Sequence, residues 1–153
     1  MKVVMMNSLL SSHLYNNETF YKTFEKDIRK AKEFVVIESP FITMKRIDAL
    51  LPAIIKLRRR GVLIVVNTRH SEEHQYPYSN QAEEAVCRLQ ELKVRLVCTV
   101  KHHRKLAIID DEILWEGSLN ILSQNDSCEV MRRSVSSELV NQKLSYIGAR
   151  RWL

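Results

Sequence analysis

The sequence predicts an α/β fold, a mixed β-sheet between helical layers, and three observations carry that prediction. Short β-branched apolar runs recur along the chain: EFVVIE at 33–38, VLIVV at 62–66 and VRLVC at 94–98. Such runs read as strands buried on both faces. Between them lie segments whose apolar residues repeat at helical spacing. The alternation fills 153 residues, which suits one domain with a proper core over 1–153 and leaves no room for two full ones. Residues 1–16 are expected as a flexible lead into it.

The elements follow in order. Glu18 to Lys32 is the first helix, with Asn16 or Asn17 as its cap and Phe20, Phe24, Ile28 and Ala31 on one face. EFVVIE is a strand ending at Ser39-Pro40. Met44 to Arg60 is a helix with a kink or restart expected at Pro52, closed by Gly61. VLIVV is the next strand, followed by a polar loop from Thr68 to about Ser79. Asn80 to Leu92 places Ala82, Ala85, Val86 and Leu89 on one face and reads as a third helix, before the strand VRLVC. KLAIID and ILWEGS flank Asp110-Asp111, a turn signal that predicts a hairpin or a close strand pair. Ser136 to Trp152 is a closing helix, with Leu139, Leu144, Ile147 and Trp152 expected inward.

Composition narrows the function classes. Hydrophobic residues make up 45% and charged residues 27%, ordinary for a globular protein. Lys and Arg outnumber Asp and Glu by 24 to 18, a surplus that favours an anionic partner, nucleic acid or an acidic lipid surface. Three cysteines, Cys87, Cys98 and Cys128, form no CxxC pair, so neither a disulfide framework nor a zinc site reads from them. They are expected as buried or half-buried packing thiols in a reducing cytosol. The start, MKVVMMNSLLSSHLYNN, breaks its apolar run at Asn7 and Ser8 and makes a poor signal peptide. No stretch approaches the roughly 20 apolar residues of a membrane span. The expectation is a cytoplasmic protein without membrane contact.

The stretch VKHHRKLAIIDDEILWEGSLN concentrates the chemistry. Two histidines, an arginine and a lysine stand directly before the apolar run LAII. Basic groups at the mouth of a buried strand are costly unless an anion meets them. In an extended chain, residues two apart share a face, so His103 points with Lys105, and Ser118 with Asn120. The pattern is H-x-K-x4-D-x6-G-S-x-N, running from His103 through Asp110 and Gly117 to Asn120. At roughly 5% per residue type, six fixed positions would match somewhere in such a chain on the order of once in a million.

Here the sequence resembles the phospholipase D superfamily, whose signature is this H-x-K-x4-D motif with its trailing Gly-Ser-x-Asn. The surrounding text is similar to one branch of it, the phospholipase D-like nuclease domains found alone or appended to DNA helicases and restriction enzymes. The similar pieces are VVIESPFIT, RRRGVLIVVNTR, HRKLAIIDDEILWEGSLNILS and CEVMRR, together spanning about residues 33 to 133. The resemblance implies an α/β/α sandwich and metal-independent phosphodiester cleavage, with no cofactor. It also implies that single-copy members dimerise about a two-fold axis, bringing two motif copies into one site, which an isologous interface supplies without extra sequence.

The residue chemistry agrees. Phosphodiester cleavage needs a nucleophile, charge neutralisation on the non-bridging oxygens and an acid for the leaving oxygen. A neutral imidazole can attack phosphorus, so His103 is the nucleophile or the acid. Lys105 is a point charge suited to a phosphate oxygen; Asn120 offers an amide N–H and Ser118 a hydroxyl to the same oxygens. Glu129 follows Asn120 by nine residues, and the resemblance places it on the far ring nitrogen of His103, fixing the tautomer as the acid of a Ser-His-Asp triad does. Asp110 has the opposite parity from His103 and reads as structural, bracing the turn. With one motif copy per chain, two histidines require a homodimer, and the pair would titrate as a coupled unit.

Other features carry plainer readings. His102 reads as a neighbour on the opposite face, and Arg104 as a solvent or helix-cap contact. His70 and His74 in HSEEH lack the carboxylate placement of H-E-x-x-H, so a solvated loop outranks a metal site. Arg69 and His70 sit where a strand ends and are candidates for touching nucleic acid. KLRRRG at 56–61 fits two readings equally, a phosphate-tracking patch or cations favoured by the helix macrodipole. Of Arg132 and Arg133, one is expected to line the groove. Trp115 reads as core. The leading function is a nuclease acting on DNA, with RNA as a second substrate. A lipid phosphodiesterase or transphosphatidylase is the alternative, and a non-catalytic DNA-binding or dimerisation module of a larger helicase or restriction protein the third.

Overall fold

The computed structural model describes residues 11–123 and 126–153. Among the described residues, seven strands form one sheet: β1 (Ser12–Asn16), β2 (Phe34–Glu38), β3 (Leu63–Thr68), β4 (Arg95–Cys98), β5 (Leu106–Ile109), β6 (Ile113–Gly117) and β7 (Val130–Val135). Their order is β1-β7-β6-β5-β2-β3-β4. β2, β3 and β4 run parallel, and every other pairing is antiparallel. The mixed sheet therefore joins a parallel half built by helical crossovers to an antiparallel half built by a hairpin.

The helices are α1 (Phe20–Arg29), α2 (Met44–Arg59), α3 (Tyr78–Glu91) and α4 (Ser137–Ile147), with short 3₁₀ turns at Ser71–Glu73 and Ala149–Trp152. Strand alternation sorts the core into two layers. Val35, Ile37, Ile64, Val66, Ala107, Ile109 and Trp115 face α1, α2 and α3. Val36, Val65, Leu106, Ile108 and Leu114 face α4 and Trp152. This is the expected α/β/α sandwich.

Several local expectations change. Residues 12–16 are not a flexible lead: they form β1 and pair along β7, Ser12 opposite Ser134 through Asn16 opposite Val130. Residues 1–10 of that expected lead lie outside the described residues. The cap of α1 is Thr19, and Asn16 instead accepts the amides of Glu18 and Thr19 in the turn before it. Helix α2 runs through Pro52 without a restart. Pro52 is exposed, so the carbonyl it leaves unbonded faces the solvent side. In α4 the inward stripe is Val140, Leu144 and Ile147, whereas Leu139 lies 40% exposed. All three cysteines are exposed rather than packed.

The hairpin turn behaves as its sequence suggests. Asp110 sits at φ 52°, a conformation Asp tolerates. Its carboxylate accepts the backbone amides of Lys32, Glu33 and Phe34 at 2.8–3.0 Å. The motif aspartate thus ties the β5–β6 turn to the start of β2, at the opposite end of β5 from His103. Arg133 is also structural and does not line a groove. It makes a bidentate pair with the buried Asp27, at 2.7 and 2.9 Å, and Trp115 Nε1 donates to the same carboxylate.

The KLRRRG patch resolves toward structure too. Arg58 donates to the carbonyls of Leu92 and Val62, and Arg60 to those of Arg29 and Ala31. These side chains brace the loops at the N-terminal ends of β2, β3 and β4, at the opposite end of the sheet from His103.

Candidate active site

The site forms where β5 begins and β6 ends. His103 and Lys105 lie in the extended approach to β5, and Gly117 ends β6. Gly117 opposes Met131 of β7 so closely that a Cβ there would stand 2.1 Å from the Val130 carbonyl oxygen. Only glycine fits this approach. Beyond it the chain turns through Ser118-Leu119-Asn120 and plunges into the core, with Leu119, Ile121 and Leu122 fully buried. Three hydrogen bonds lock the turn: Thr43 N–H to the Leu122 carbonyl (2.9 Å), Leu122 N–H to Ser39 Oγ (3.1 Å) and Tyr21 Oη to the Ile121 carbonyl (2.6 Å).

His103, Lys105, Ser118, Asn120 and Glu129 all line one open cleft of about 910 Å³, together with Leu14, Arg104, Glu116, Val130, Arg132 and Lys143. Lys105 Nζ donates to the His103 carbonyl at 2.8 Å and stands 3.3 Å from His103 Nδ1. Burial pushes the Lys105 ammonium below its ordinary value and Arg69 adds to that, while Glu129 opposes it. A cation held beside the imidazole is where a phosphate oxygen would be met during attack. Asn120 has its Oδ1 buried without a hydrogen-bond partner among the described residues. That oxygen can only accept a hydrogen bond, so it is the amide nitrogen of Asn120 that can donate to a phosphate oxygen.

Two expected roles differ in detail. Ser118 faces the cleft, yet its Oγ accepts the Val130 amide at 3.0 Å, stitching the turn to β7. Glu129 enters the cleft, but its carboxylate accepts Ser127 Oγ at 2.8 Å. No hydrogen bond joins it to the His103 ring among the described residues of this single chain. Arg132 lines the cleft and donates to Ser12 Oγ of β1 (2.7 Å). Arg69 is partly committed, its Nε donating to the His102 carbonyl at 2.6 Å. His70 accepts the Glu72 amide, and His74 packs against the Phe41 ring, so the two do not converge.

The support beneath the motif escaped sequence reasoning. Glu38, fully buried at the end of β2, accepts both Nε and Nη2 of Arg104, at 2.7 and 2.8 Å, and Nδ2 of Asn67 at 2.6 Å. Thr99 Oγ1 donates to Asn67 Oδ1. Arg104, between His103 and Lys105, keeps its expected solvent exposure and caps no helix; its pair with Glu38 pins the segment to the sheet. The signal lies in EFVVIESP, where an acid closes an apolar strand and must find a cation.

His102 is buried against the same carboxylate, its Nε2 3.9 Å from Glu38 Oε2. Burial holds its pKa below the ordinary value, reinforced by Arg104, Arg69 and Lys105 and opposed by Glu38. The unfolded histidine takes up a proton near pH 6.5, while the folded one resists it. Stability should therefore fall as the pH drops below about 6.5. Thermal melts between pH 7.5 and 5 should show this slope, flattened in His102→Gln; an unchanged slope in that variant would assign it elsewhere.

A family model described as cardiolipin synthase, PLD-like domain, matches residues 24–149. The chain belongs to the phospholipase D-like family. Among curated protein sequences, none matches the chain. Solved structures share its fold. NucT from Helicobacter pylori superposes with a TM-score of 0.69 at 21% identity, over 88% of this chain and 91% of that one. Nuc from Salmonella typhimurium, a phospholipase D family member, gives 0.71 at 16% identity, over 92% and 93%. The phosphatidylserine synthase of Haemophilus influenzae gives 0.68 at 13%, over 92% of this chain but 38% of that one. At these identities the likeness concerns the fold.

Proposed function

We propose that the protein is a metal-independent phosphodiesterase acting on nucleic acid, DNA foremost, through a phosphohistidine at His103 in a site shared across a homodimer. The observation that carries this reading is convergence. Five side chains spread from His103 to Glu129 meet in one cleft, at the spacing of a phosphodiester-cleaving motif. Arg132 adds positive charge beside them, while Arg104 is paired with Glu38 and Lys143 with Glu116. We read residues 1–153 as one domain working in the cytoplasm, alone or as a module of a larger helicase or restriction protein.

The chemistry follows from the groups present. The neutral imidazole of one His103 attacks phosphorus; the N–P bond forms as the P–O bond to the leaving alcohol breaks. The partner's His103, protonated, gives its proton to that oxygen. Water then attacks the phosphohistidine and passes its proton to the partner imidazole, restoring both. Lys105 and the Asn120 amide stabilise the charge that gathers on the non-bridging oxygens. One motif copy per chain supports the two-fold arrangement.

The lipid reading stays as the second, favoured by two observations: Leu14 (61% exposed) and Val130 (49% exposed) offer apolar contact at the cleft rim, and the matched family model carries a lipid synthase description. No helix of the described residues is long and apolar enough to cross a membrane.

One experiment separates these. Labelled plasmid, single-stranded DNA, RNA and phosphatidylglycerol vesicles are incubated with wild type and His103→Ala in excess EDTA. Nucleic acid cleavage that persists in EDTA and vanishes in the variant is expected. Cleavage restored only by added Mg²⁺ or Zn²⁺ would overturn the metal-independent mechanism. Release of the lipid headgroup alone would favour the second reading, and no turnover of any substrate would leave a binding module.

A further inference from the structure

A second cleft of about 790 Å³, distinct from the catalytic one, opens between the start of α2 and the segment leading into α3. Its lining combines the exposed Tyr78 ring, the Phe41 ring with His74 beside it, two carboxamides (Gln75 and Gln81), the Lys45 and Arg46 cations and one carboxylate, Glu73. That volume lies within the range of small-molecule sites. Its lining suits a planar heterocycle with donors and acceptors on its edge, attached to a phosphate. Aromatic side chains stack on a base of any identity, carboxamides pair with base edges, and an ammonium meets the phosphate. A lipid chain would want an apolar lining instead.

One backbone contact joins the second cleft to the first, and two more tie it to the segment before His103. Ser123 lines it, and the Ser123 amide donates to the carbonyl of Asn120, which lines the catalytic cleft. The Arg69 guanidinium lies 5.4 Å from the Phe41 ring centroid while its Nε holds the carbonyl of His102, next to His103. Glu73, also in the lining, accepts the Lys101 amide at 2.9 Å. The second cleft is thus tied to the segments that carry Asn120 and His103, and the Arg69 cation links the Phe41 ring to the His102 carbonyl.

We propose that the second cleft takes one unpaired nucleobase of a strand whose backbone continues through the catalytic cleft, making single-stranded nucleic acid the preferred substrate class. The course of the strand rests on the phosphodiesterase reading above. A base in a duplex has its edge paired and its faces stacked, so only an unpaired one can enter without the cost of leaving the helix.

The test is binding, so that it does not depend on cleavage. The full chain carrying His103→Asn is titrated, by fluorescence anisotropy, into a labelled single-stranded DNA, the same strand made abasic at its central positions, the matching RNA, and the duplex. The intact strand should bind roughly ten- to a hundred-fold more tightly than the abasic one. Tyr78→Ala and Gln81→Ala, each introduced into that chain at an exposed position, should shrink this difference. A preference for DNA over RNA, or the reverse, supports the proposal and identifies the sugar. Equal binding of intact and abasic strands, a difference that survives both variants, or a duplex bound as tightly as the single strand overturns it. Turnover of a chromogenic phosphodiester by wild type, measured separately, reports on the phosphodiesterase reading alone.

Discussion

A dimer of one wild-type and one His103→Ala subunit should be nearly as inactive as the double variant. Each intact site needs one imidazole to attack phosphorus and a second, protonated, to expel the leaving oxygen. The mixed dimer retains one of the two. Losing general acid catalysis alone typically costs about 10²- to 10⁴-fold, and losing the nucleophile costs at least as much. Co-expressing the two chains with different tags and isolating the doubly tagged species supplies the sample. Its sedimentation should give roughly twice the 18.0 kDa chain mass. Half the wild-type rate in that species would mean that each subunit works alone, and an active monomer would exclude the shared site.

The second large effect is expected at Gly117, which touches no substrate. An alanine Cβ there would stand 2.1 Å from the Val130 carbonyl oxygen and 2.9 Å from Met131 Cα, both backbone atoms that cannot rotate away. β6 and β7 must therefore separate locally. Overpacking of this kind costs about 1–3 kcal/mol. The displaced turn carries Ser118, whose Oγ is bonded to the Val130 amide, and Asn120, which faces the cleft. A shift of roughly 1 Å at a catalytic group can cost about 10²-fold in rate. Gly117→Ala should accordingly lose turnover far more than its fall in melting temperature explains. Wild-type turnover and melting temperature together would show that the β6–β7 approach is looser than the close contact at Gly117 implies.

Much of this architecture is legible in the chain itself. Buried strands announce themselves as β-branched runs, and β2, β3 and β5 lie where those runs are. Asp110 is readable as a brace because its parity differs from that of His103, and its carboxylate does hold two backbone amides of the loop before β2 and the first of β2 itself. The clustering of His103, Lys105, Ser118 and Asn120 is readable because the motif spacing spans one hairpin, a local structure.

What is not legible depends on partners remote in sequence. β1, with the sequence SHLYN, is among the described residues an edge strand bonded to β7, so no apolar run is demanded of it. Arg133 pairs with Asp27 across 106 positions, and Arg104 with Glu38 across 66. Parity alone puts an arginine on a face; which carboxylate waits there is decided by topology. The same holds for Leu139, exposed because α4 turns Val140 rather than its neighbour toward the sheet.

The central claim, that His103 bonds to the phosphorus of a nucleic acid phosphodiester, has a direct test. Wild type is mixed with an internally ³²P-labelled oligonucleotide in EDTA and quenched during turnover. The label should remain on the protein in a bond that survives alkali and is lost in acid, as a phosphoramidate is. Peptide mapping should place it on His103, and His103→Ala should carry none. Steady cleavage without any trapped label, or a label on another residue, would contradict the account.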